Sequence, residues 1–532
     1  MTLRPQNAGH YLIAASIALL LAASAYLRLS HLGNVPGVNG DEAWFAVRYY
    51  DVTHGAAESL ATPTGNPSFF YYALLLAGQA LLPAGVAALR FPAAASGFCL
   101  VLCTYLLLRR VTAMAVAAAA AILMAALPVN LIYARIGWVP CLTVLACLFP
   151  VVFAVRLKPL WTAAALLLAY LIHPTTLFLT PVVVMPFVFR WRRQNERSTK
   201  HLLAYGGGLA LLAAAGGIAT YLAQPSLVGP ALAKIPDRLD PFNLPADVLV
   251  HFVQLFSGTT SFRYVAGSAY GNLALLADLA TGAAMFVALA FGSRPLWREG
   301  GPKLAAAAGL AVSLAGAVLV AGPEILHPHF ERYGLFVVAP TVVVFVFLCE
   351  SSQTLAGRPW RLLAAASLGG WFLLGIYTVQ FHDFFLETGG RNEYAFRTGP
   401  NEPKAAAYAV IQRDREPDEP VSVVASSWWN HYPIRYLMAS HGNLESGDLI
   451  FNLEGGEDTS QKRELAADRV QYVVVFAGDP VDQWLRANLE AKIAHTWPIA
   501  DYAGADVLYV YRFQAGDWQW PPMETLQQRP GG

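Results

Sequence analysis

The stretch YLIAASIALLLAASAYL, residues 11–27, is predominantly apolar and contains no charged side chain. A helix that crosses a bilayer needs about 20 predominantly apolar residues. Arg28 and His31 follow the stretch, where a cleavable signal peptide would end in small residues. The pattern therefore predicts a first membrane span rather than a signal peptide.

Apolar runs of similar length recur along most of the chain. Hydrophobic residues make up 56% of the sequence and charged residues 13%, with a mean hydropathy of +0.44. A soluble domain carries roughly 25% charged residues. We therefore predict a polytopic α-helical membrane protein with about eleven spans. The further runs are residues 91–108, 113–130, 139–155, 160–173, 174–189, 202–222, 272–291, 304–321, 334–349 and 362–379.

Basic residues concentrate in every second loop between these runs, which sets an orientation because short cytoplasmic loops are rich in Lys and Arg. An odd number of spans then places the segment after the last span outside. Residues 67–82 do not fit this alternation as a span, so they are predicted to form a helix in the outer interface. The basic loops contain Arg109 and Arg110, Arg156 and Lys158, residues 190–200, Arg294 to Lys303, and Arg358 with Arg361.

Beyond Phe381 the charged residues become dense and the apolar runs shorten to strand length. Strands are expected at residues 421–425, 472–476 and 507–513, and helices at 402–413, 429–439 and 480–491. This alternation predicts a small α/β domain. The chain is thus divided into a membrane domain, residues 1–380, and an extracytoplasmic α/β domain, residues 381–532. All five cysteines precede the second domain, which therefore cannot depend on disulfides.

The first outer loop contains Asp41 and Glu42, shortly after the first predicted span. A carboxylate there can act as a general base toward a hydroxyl group, or bind a metal ion or an amine. The alternative is structural, because Asp41 precedes an amphipathic stretch and could cap a helix. Spacing alone favours this second interpretation.

Two other outer loops contain cations close to the ends of spans. Arg135 could hold a phosphate through its fork of donors or simply reach the headgroups. The sequence PEILHPHFERY, residues 323–333, brings together His327, His329 and Arg332 with two glutamates. A His-x-His pair is a weak metal signal, so a phosphate or substrate role is favoured over a zinc site.

The order of these features resembles the GT-C superfamily of membrane glycosyltransferases, and most closely the protein O-mannosyltransferases and the lipid A aminoarabinose transferases. The Asp-Glu pair is followed by NPSFFYY at residues 66–72 and by LRFP at residues 89–92. YAR at 133–135 and HFERY at 329–333 resemble later landmarks. The sequence departs from the pattern at Asn66, where a proline is common, and in the position of the fifth-loop arginine.

The resemblance implies an inverting glycosyltransferase that moves a sugar from a polyprenyl-phosphate donor to an acceptor hydroxyl on the outer face of the membrane. Asp41 would then be the base, with Glu42 as an orienting or second acid. The donor phosphate would be held by Arg135 and Arg332, helped by His327 or His329. The expected location is a cell membrane, the bacterial inner membrane in particular. A divalent metal ion is left open as a cofactor.

Two rival functions were weighed against this hypothesis. A transporter or flippase of lipid-linked sugars should carry inverted repeats and charged or broken helices at mid-membrane, which the sequence does not display. A carbohydrate-binding role of the C-terminal domain could use Trp428 and Trp429, although these residues more simply start a packed helix. The net charge of +1 gives no reason to expect a nucleic acid partner. The sequence does not select the acceptor, whether protein, lipid or glycan, nor the sugar.

Overall fold

The protein was examined as a computed structural model of the whole chain. The structure describes residues 5–55, 69–191, 207–209, 211, 214–220, 222, 233–235, 247–352, 358–391, 395–417, 419–453 and 468–516.

Apolar helices dominate the first three quarters of the chain. Within the described residues, six helices are long and apolar enough to cross a membrane: Gly9–Leu29, Val86–Leu108, Asn272–Glu299, Gly301–Ala321, Glu331–Ser351 and Pro359–Thr388. Shorter apolar helices lie between them and include Phe70–Leu81, Met114–Ala126, Val139–Val155, Pro159–Ile172, Pro174–Arg190 and Val248–Ser257.

These helices confirm the predicted polytopic membrane fold. The two short runs that adjoin at His173 form the helices Pro159–Ile172 and Thr180–Trp191, which are joined by a 3-10 helix, Pro174–Leu179. Residues 69–81 form the helix expected in the outer interface. Asn66 and Pro67 lie outside the described residues, as does most of the predicted span 202–222.

The C-terminal part contains a five-stranded sheet with the order β2-β1-β3-β5-β4. Its strands are β1 (Ser422–Ala425), β2 (Leu449–Asn452), β3 (Gln471–Phe476), β4 (His495–Ala500) and β5 (Asp506–Phe513). β1 pairs in parallel with β2 and β3, whereas β5 runs antiparallel to both β3 and β4. The predicted α/β domain is confirmed. β4 was not predicted because it is largely exposed and forms no clear apolar run. β2 was not predicted either, although it contains the short apolar sequence Leu449-Ile450-Phe451 between polar segments.

In the described part of the domain, the sheet is accompanied by the helices Pro403–Asp414, Trp428–Ser440 and Pro480–Leu489, close to the predicted positions. The Trp428–Ser440 helix begins with a capping box formed by Ser427 and Asn430. Asn430 also donates to the carbonyl oxygen of Val474 in β3 at 2.8 Å. The start of this helix is therefore fixed to the sheet by polar contacts as well as by packing.

The C-terminal domain shares a hydrophobic core with loops of the membrane domain that are predicted to face outward and are named the outer loops. Val38, Ala43 and Tyr71 belong to the same buried cluster as Ile434 and Val474. Such a continuous core holds the two parts in one arrangement, because separating them would expose apolar surface. Polar contacts reinforce the docking: the Gly37 N–H donates to Phe396 O at 2.8 Å, Arg435 pairs with Asp51 at 2.6 Å, and the Tyr436 hydroxyl donates to Gly85 O at 3.2 Å.

The helix Gly40–Thr53 is the main contact between the outer loops and the C-terminal domain. A Cβ atom on Gly40 would lie 2.4 Å from Cδ1 of Trp428 and 2.6 Å from its carbonyl oxygen. We expect Gly40→Ala to weaken the docking by about 1–3 kcal/mol, the usual cost of overpacking. Faster proteolytic release of the C-terminal domain would measure this effect. Gly375→Ala, at a helical glycine with open space around it, is the control and should leave proteolysis unchanged.

Candidate active site

A cavity of about 250 Å³ lies where the outer loops meet the C-terminal domain. Its polar groups are Asp41, His173 and Arg332, which come from three segments far apart in the sequence. The segments that carry Asp41 and Arg332 are two of the predicted outer loops. The remaining walls are mostly aromatic or apolar and comprise Trp44, Phe45, Trp138, Val139, Pro140, Ile172, Tyr333 and Trp428.

Asp41 lies in the first turn of the helix Gly40–Thr53, whose N-cap is Asn39. One carboxylate oxygen, Oδ1, accepts a hydrogen bond from the indole N–H of Trp428 at 3.2 Å. The other, Oδ2, lies 3.7 Å from Nη1 of Arg332. About a third of the side chain, 31%, remains accessible from the cavity and solvent. The carboxylate is thus oriented from two sides and still open to a ligand.

Burial raises the pKa of Asp41 above its ordinary value because desolvation disfavours the charged form. The charge of Arg332 and the hydrogen bond from Trp428 act in the opposite direction, and the neighbouring Glu42 adds a further increase. A raised pKa brings a carboxylate closer to the value that suits a general base.

Arg332 lies on the short helix Glu331–Gly334 at the mouth of a span. Its Nη1 donates to the hydroxyl of Tyr264 at 3.1 Å. The guanidinium also lies over the rings of Trp138 and Tyr333, 5.1 and 5.0 Å from their centroids. These contacts hold a cation at the cavity wall, where cation–π attraction limits its freedom.

Glu42 has a different environment from its neighbour. Its side chain is fully buried, as is that of Arg90, and the two form a bidentate ion pair with distances of 2.7 and 3.0 Å. Glu42 also accepts from the backbone N–H of Gly137 at 2.8 Å and completes the capping box with Asn39. Glu42 therefore fixes the loop around Asp41 rather than lining the cavity; of its two expected roles, orienting acid or second acid, this geometry favours the orienting one.

The ion pair also gives a structural role to the LRFP motif at residues 89–92. Arg90 donates to the carbonyl oxygens of Leu32, Pro36 and Gly37, at 3.0, 2.7 and 3.2 Å, as well as to Glu42. It thus organises the chain between the first span and Asp41. The pairing joins residues 48 positions apart, so the motif by itself is only a landmark in the sequence, although a buried Glu requires a buried cation.

Arg135 is not brought to the cavity. Its side chain is fully buried and donates to backbone oxygens of the first outer loop: Val35 O at 3.0 and 2.8 Å, Ser30 O at 2.5 Å, and Leu27 O. A guanidinium engaged in this way cannot also present its fork to a phosphate at the cavity. The structure therefore places Arg135 in the packing of this loop and not at the cavity wall, where the phosphate contact was expected.

The two histidines of the fifth outer loop also lie beside the cavity rather than in its walls. The His327 ring packs against His251, with centroids 4.1 Å apart, and the His329 ring packs against Tyr264 at 4.7 Å. His329 has a backbone φ of +80°, a conformation that residues other than glycine rarely adopt. His329 thus contacts Tyr264, which also accepts a hydrogen bond from Arg332, and neither histidine is part of the described cavity wall.

His173 and Trp428 line the cavity, although neither is among the predicted site residues. The ring of His173 lies 5.6 Å from that of Tyr333. Trp428 comes from the other domain and was interpreted as the start of a packed helix. No local sequence pattern predicts that Trp428 lies beside Asp41, because the two residues are separated by 387 positions.

Within the part of the chain that the structure describes, no group of three or more His, Cys, Asp or Glu side chains is arranged to hold a metal ion.

No protein-family model and no curated protein sequence matches the chain. Among solved structures, ArnT from Cupriavidus metallidurans in the apo state superposes with a TM-score of 0.50 and 12% identity, over 96% of this chain and 100% of that chain. The same protein bound to undecaprenyl phosphate gives a TM-score of 0.51 and 13% identity, over 95% and 99%. The chain has the ArnT fold. Because the coverage of both chains is nearly complete, the likeness in fold extends through the C-terminal domain.

Proposed function

We propose that the protein is an inverting glycosyltransferase that moves a sugar from a polyprenyl-phosphate donor to an acceptor hydroxyl on the outer face of a bacterial inner membrane. One observation carries the proposal: an oriented carboxylate, Asp41, and a held cation, Arg332, face one cavity 3.7 Å apart. The likeness to an ArnT structure that holds undecaprenyl phosphate supports the class of donor.

On the acceptor side, Asp41 takes the proton of the attacking hydroxyl. A hydroxyl is a weak nucleophile, so a positioned base contributes about 10²–10⁴-fold to such a step. The raised pKa of Asp41 suits this role because a more basic carboxylate accepts the proton more readily. The contacts with Trp428 and Arg332 fix both oxygens in direction while leaving the carboxylate accessible.

On the donor side, Arg332 stabilises the departing phosphate. Its fork of donors suits phosphate oxygens, and a lipid phosphate can leave as an anion without protonation. The acceptor oxygen bonds to the anomeric carbon as the bond from that carbon to the phosphate oxygen breaks. The proton passes to Asp41, and the polyprenyl phosphate leaves with the electron pair. A single displacement of this kind inverts the anomeric configuration.

The walls of the cavity also suit a sugar. Trp44, Phe45 and Trp138 present aromatic surface next to the polar groups. Apolar walls with a few oriented polar groups are typical of small-ligand sites. We propose residues 1–380 as the catalytic membrane domain and residues 381–532 as an extracytoplasmic domain that covers the site.

The direct test is reconstitution of the full chain in vesicles with radiolabelled undecaprenyl-phosphate sugars, one sugar at a time, and membrane extract as the source of acceptor. We expect transfer of label from at least one donor, with inversion at the anomeric carbon. Movement of the labelled lipid across the bilayer without transfer would instead identify a flippase. If the protein neither transfers the sugar nor moves the lipid with any of the donors, the proposed reaction is excluded.

The pH dependence of transfer should reflect Asp41. The base is active only when ionised, so kcat/KM falls as the pH drops through its pKa. Because burial raises this pKa, we expect the acid limb to lie above the ordinary range of an aspartate near 4. Arg332 lowers the pKa, so Arg332→Gln should move the limb to higher pH as well as reduce the rate. An acid limb at the same pH in both enzymes would contradict the assignment of Asp41.

A further inference from the structure

Trp428 is the contact through which the C-terminal domain reaches the proposed base. It is the first residue of the helix Trp428–Ser440, and it lines the cavity beside Asp41. Its indole N–H donates to Oδ1 of Asp41 at 3.2 Å, and its ring packs against Tyr432 with centroids 4.3 Å apart. A side chain of the second domain is therefore part of the wall of the site.

The position of Trp428 is set from both sides. Ser427 and Asn430 cap its helix, and Asn430 ties the helix start to Val474 in β3. On the other side, Gly40 lies so close to Trp428 that a Cβ atom at position 40 would clash with it. A hydrogen-bond donor held by two rigid elements can orient a carboxylate at little further cost in entropy.

The two oxygens of Asp41 have different partners. Oδ1 faces the neutral indole N–H, whereas Oδ2 lies toward the guanidinium of Arg332. If a donor phosphate binds to Arg332, the indole N–H of Trp428 still holds the carboxylate of Asp41 in place. The hydrogen bond also favours the ionised carboxylate, which is the form that accepts a proton.

We propose that Trp428 is a positioning residue that holds Asp41 for proton transfer, so that the C-terminal domain completes the active site. This inference rests on the proposed function for its catalytic part. Its geometric part, the hold on the carboxylate, stands independently and can be measured without turnover.

The test compares Trp428→Phe with Trp429→Phe in the full chain in lipid nanodiscs. Trp429 is the adjacent tryptophan, partly buried against the shared hydrophobic cluster, and is absent from the cavity wall. A hydrophobic carbodiimide modifies protonated carboxyl groups, and peptide mass spectrometry over a pH series gives the midpoint for Asp41. We expect the midpoint to move to higher pH in Trp428→Phe and to stay in place in Trp429→Phe. Equal midpoints in the two variants would overturn the inference.

A second variant separates loss of the N–H donor from loose docking. Tyr436→Phe removes the hydrogen bond to Gly85 O, which belongs to the domain contact but not to the cavity. We expect this variant to release the C-terminal domain faster on proteolysis and to leave the Asp41 midpoint unchanged. A midpoint that moves equally in Tyr436→Phe and Trp428→Phe would assign the effect to docking and overturn the positioning role.

Turnover then tests the catalytic part. With a donor that wild type uses, we expect Trp428→Phe to lower kcat roughly tenfold and to move the acid limb to higher pH. A shifted midpoint with unchanged kcat would overturn the catalytic role of Trp428 and leave the proposed function standing. A wild-type protein that transfers no sugar from any donor would instead refute the proposed function, while the labelling would still decide whether Trp428 holds Asp41.

Discussion

Asp41→Asn should abolish most of the transfer activity. The amide keeps the size of the side chain and can still accept the hydrogen bond from Trp428, but it cannot take a proton from the acceptor. Loss of a general base costs about 10²–10⁴-fold, so we expect the rate to fall by roughly 10³-fold. Initial rates with a radiolabelled undecaprenyl-phosphate sugar, in membranes with equal amounts of protein, measure the effect.

Asp383→Asn is the matched control. Asp383 pairs with His382 at 3.1 Å, is about half exposed, and lies outside the described cavity wall. This variant should transfer sugar at the wild-type rate. Retention of full activity in Asp41→Asn would remove Asp41 from the role of base, whereas equal losses in both variants would point to a general effect of removing a carboxylate.

Glu42→Gln should destabilise the protein more than any surface change. The substitution leaves the guanidinium of Arg90 fully buried with an uncompensated charge. Breaking a buried pair from one side costs about 3–5 kcal/mol. The midpoint of thermal unfolding in one detergent, followed by tryptophan fluorescence, should fall clearly. The loop that carries Asp41 depends on the same pair, so transfer activity should fall with it.

Glu445→Gln is the control for this prediction. Glu445 pairs with His54 at 3.0 Å, but both side chains are about half exposed. An exposed pair contributes about 0–1 kcal/mol, so the unfolding midpoint should hardly change. The double variant Glu42→Gln with Arg90→Met should lose less stability than the sum of the single changes, because it removes the unpaired charge. Additive losses would contradict a direct pairing.

The adjacent carboxylates at positions 41 and 42 show how far local sequence reasoning extends. Their location just after a span identified the loop as a candidate site. The sequence could not assign different roles to them, because neighbours on a helix point about 100° apart and only packing decides which direction is buried. Glu42 faces Arg90 in the core, and Asp41 faces the cavity.

Local sequence patterns were equally unable to assign roles to Arg135 and Arg332, the two arginines expected to hold the donor phosphate. Both lie near span ends in outer loops and look equivalent as patterns. Folding surrounds Arg135 with backbone carbonyl oxygens and Arg332 with aromatic rings at an open wall. The groups around each arginine come from segments that are distant in the chain, so a local sequence pattern cannot predict them.

The sequence by itself determined the membrane fold and the α/β nature of the C-terminal domain. These follow from local rules, since a bilayer requires long apolar runs and a strand or helix has a fixed period. Only the tertiary structure decided that Asp41, His173, Arg332 and Trp428 share one cavity. Their meeting depends on how distant helices pack and how two domains share a core, which are properties of the whole fold.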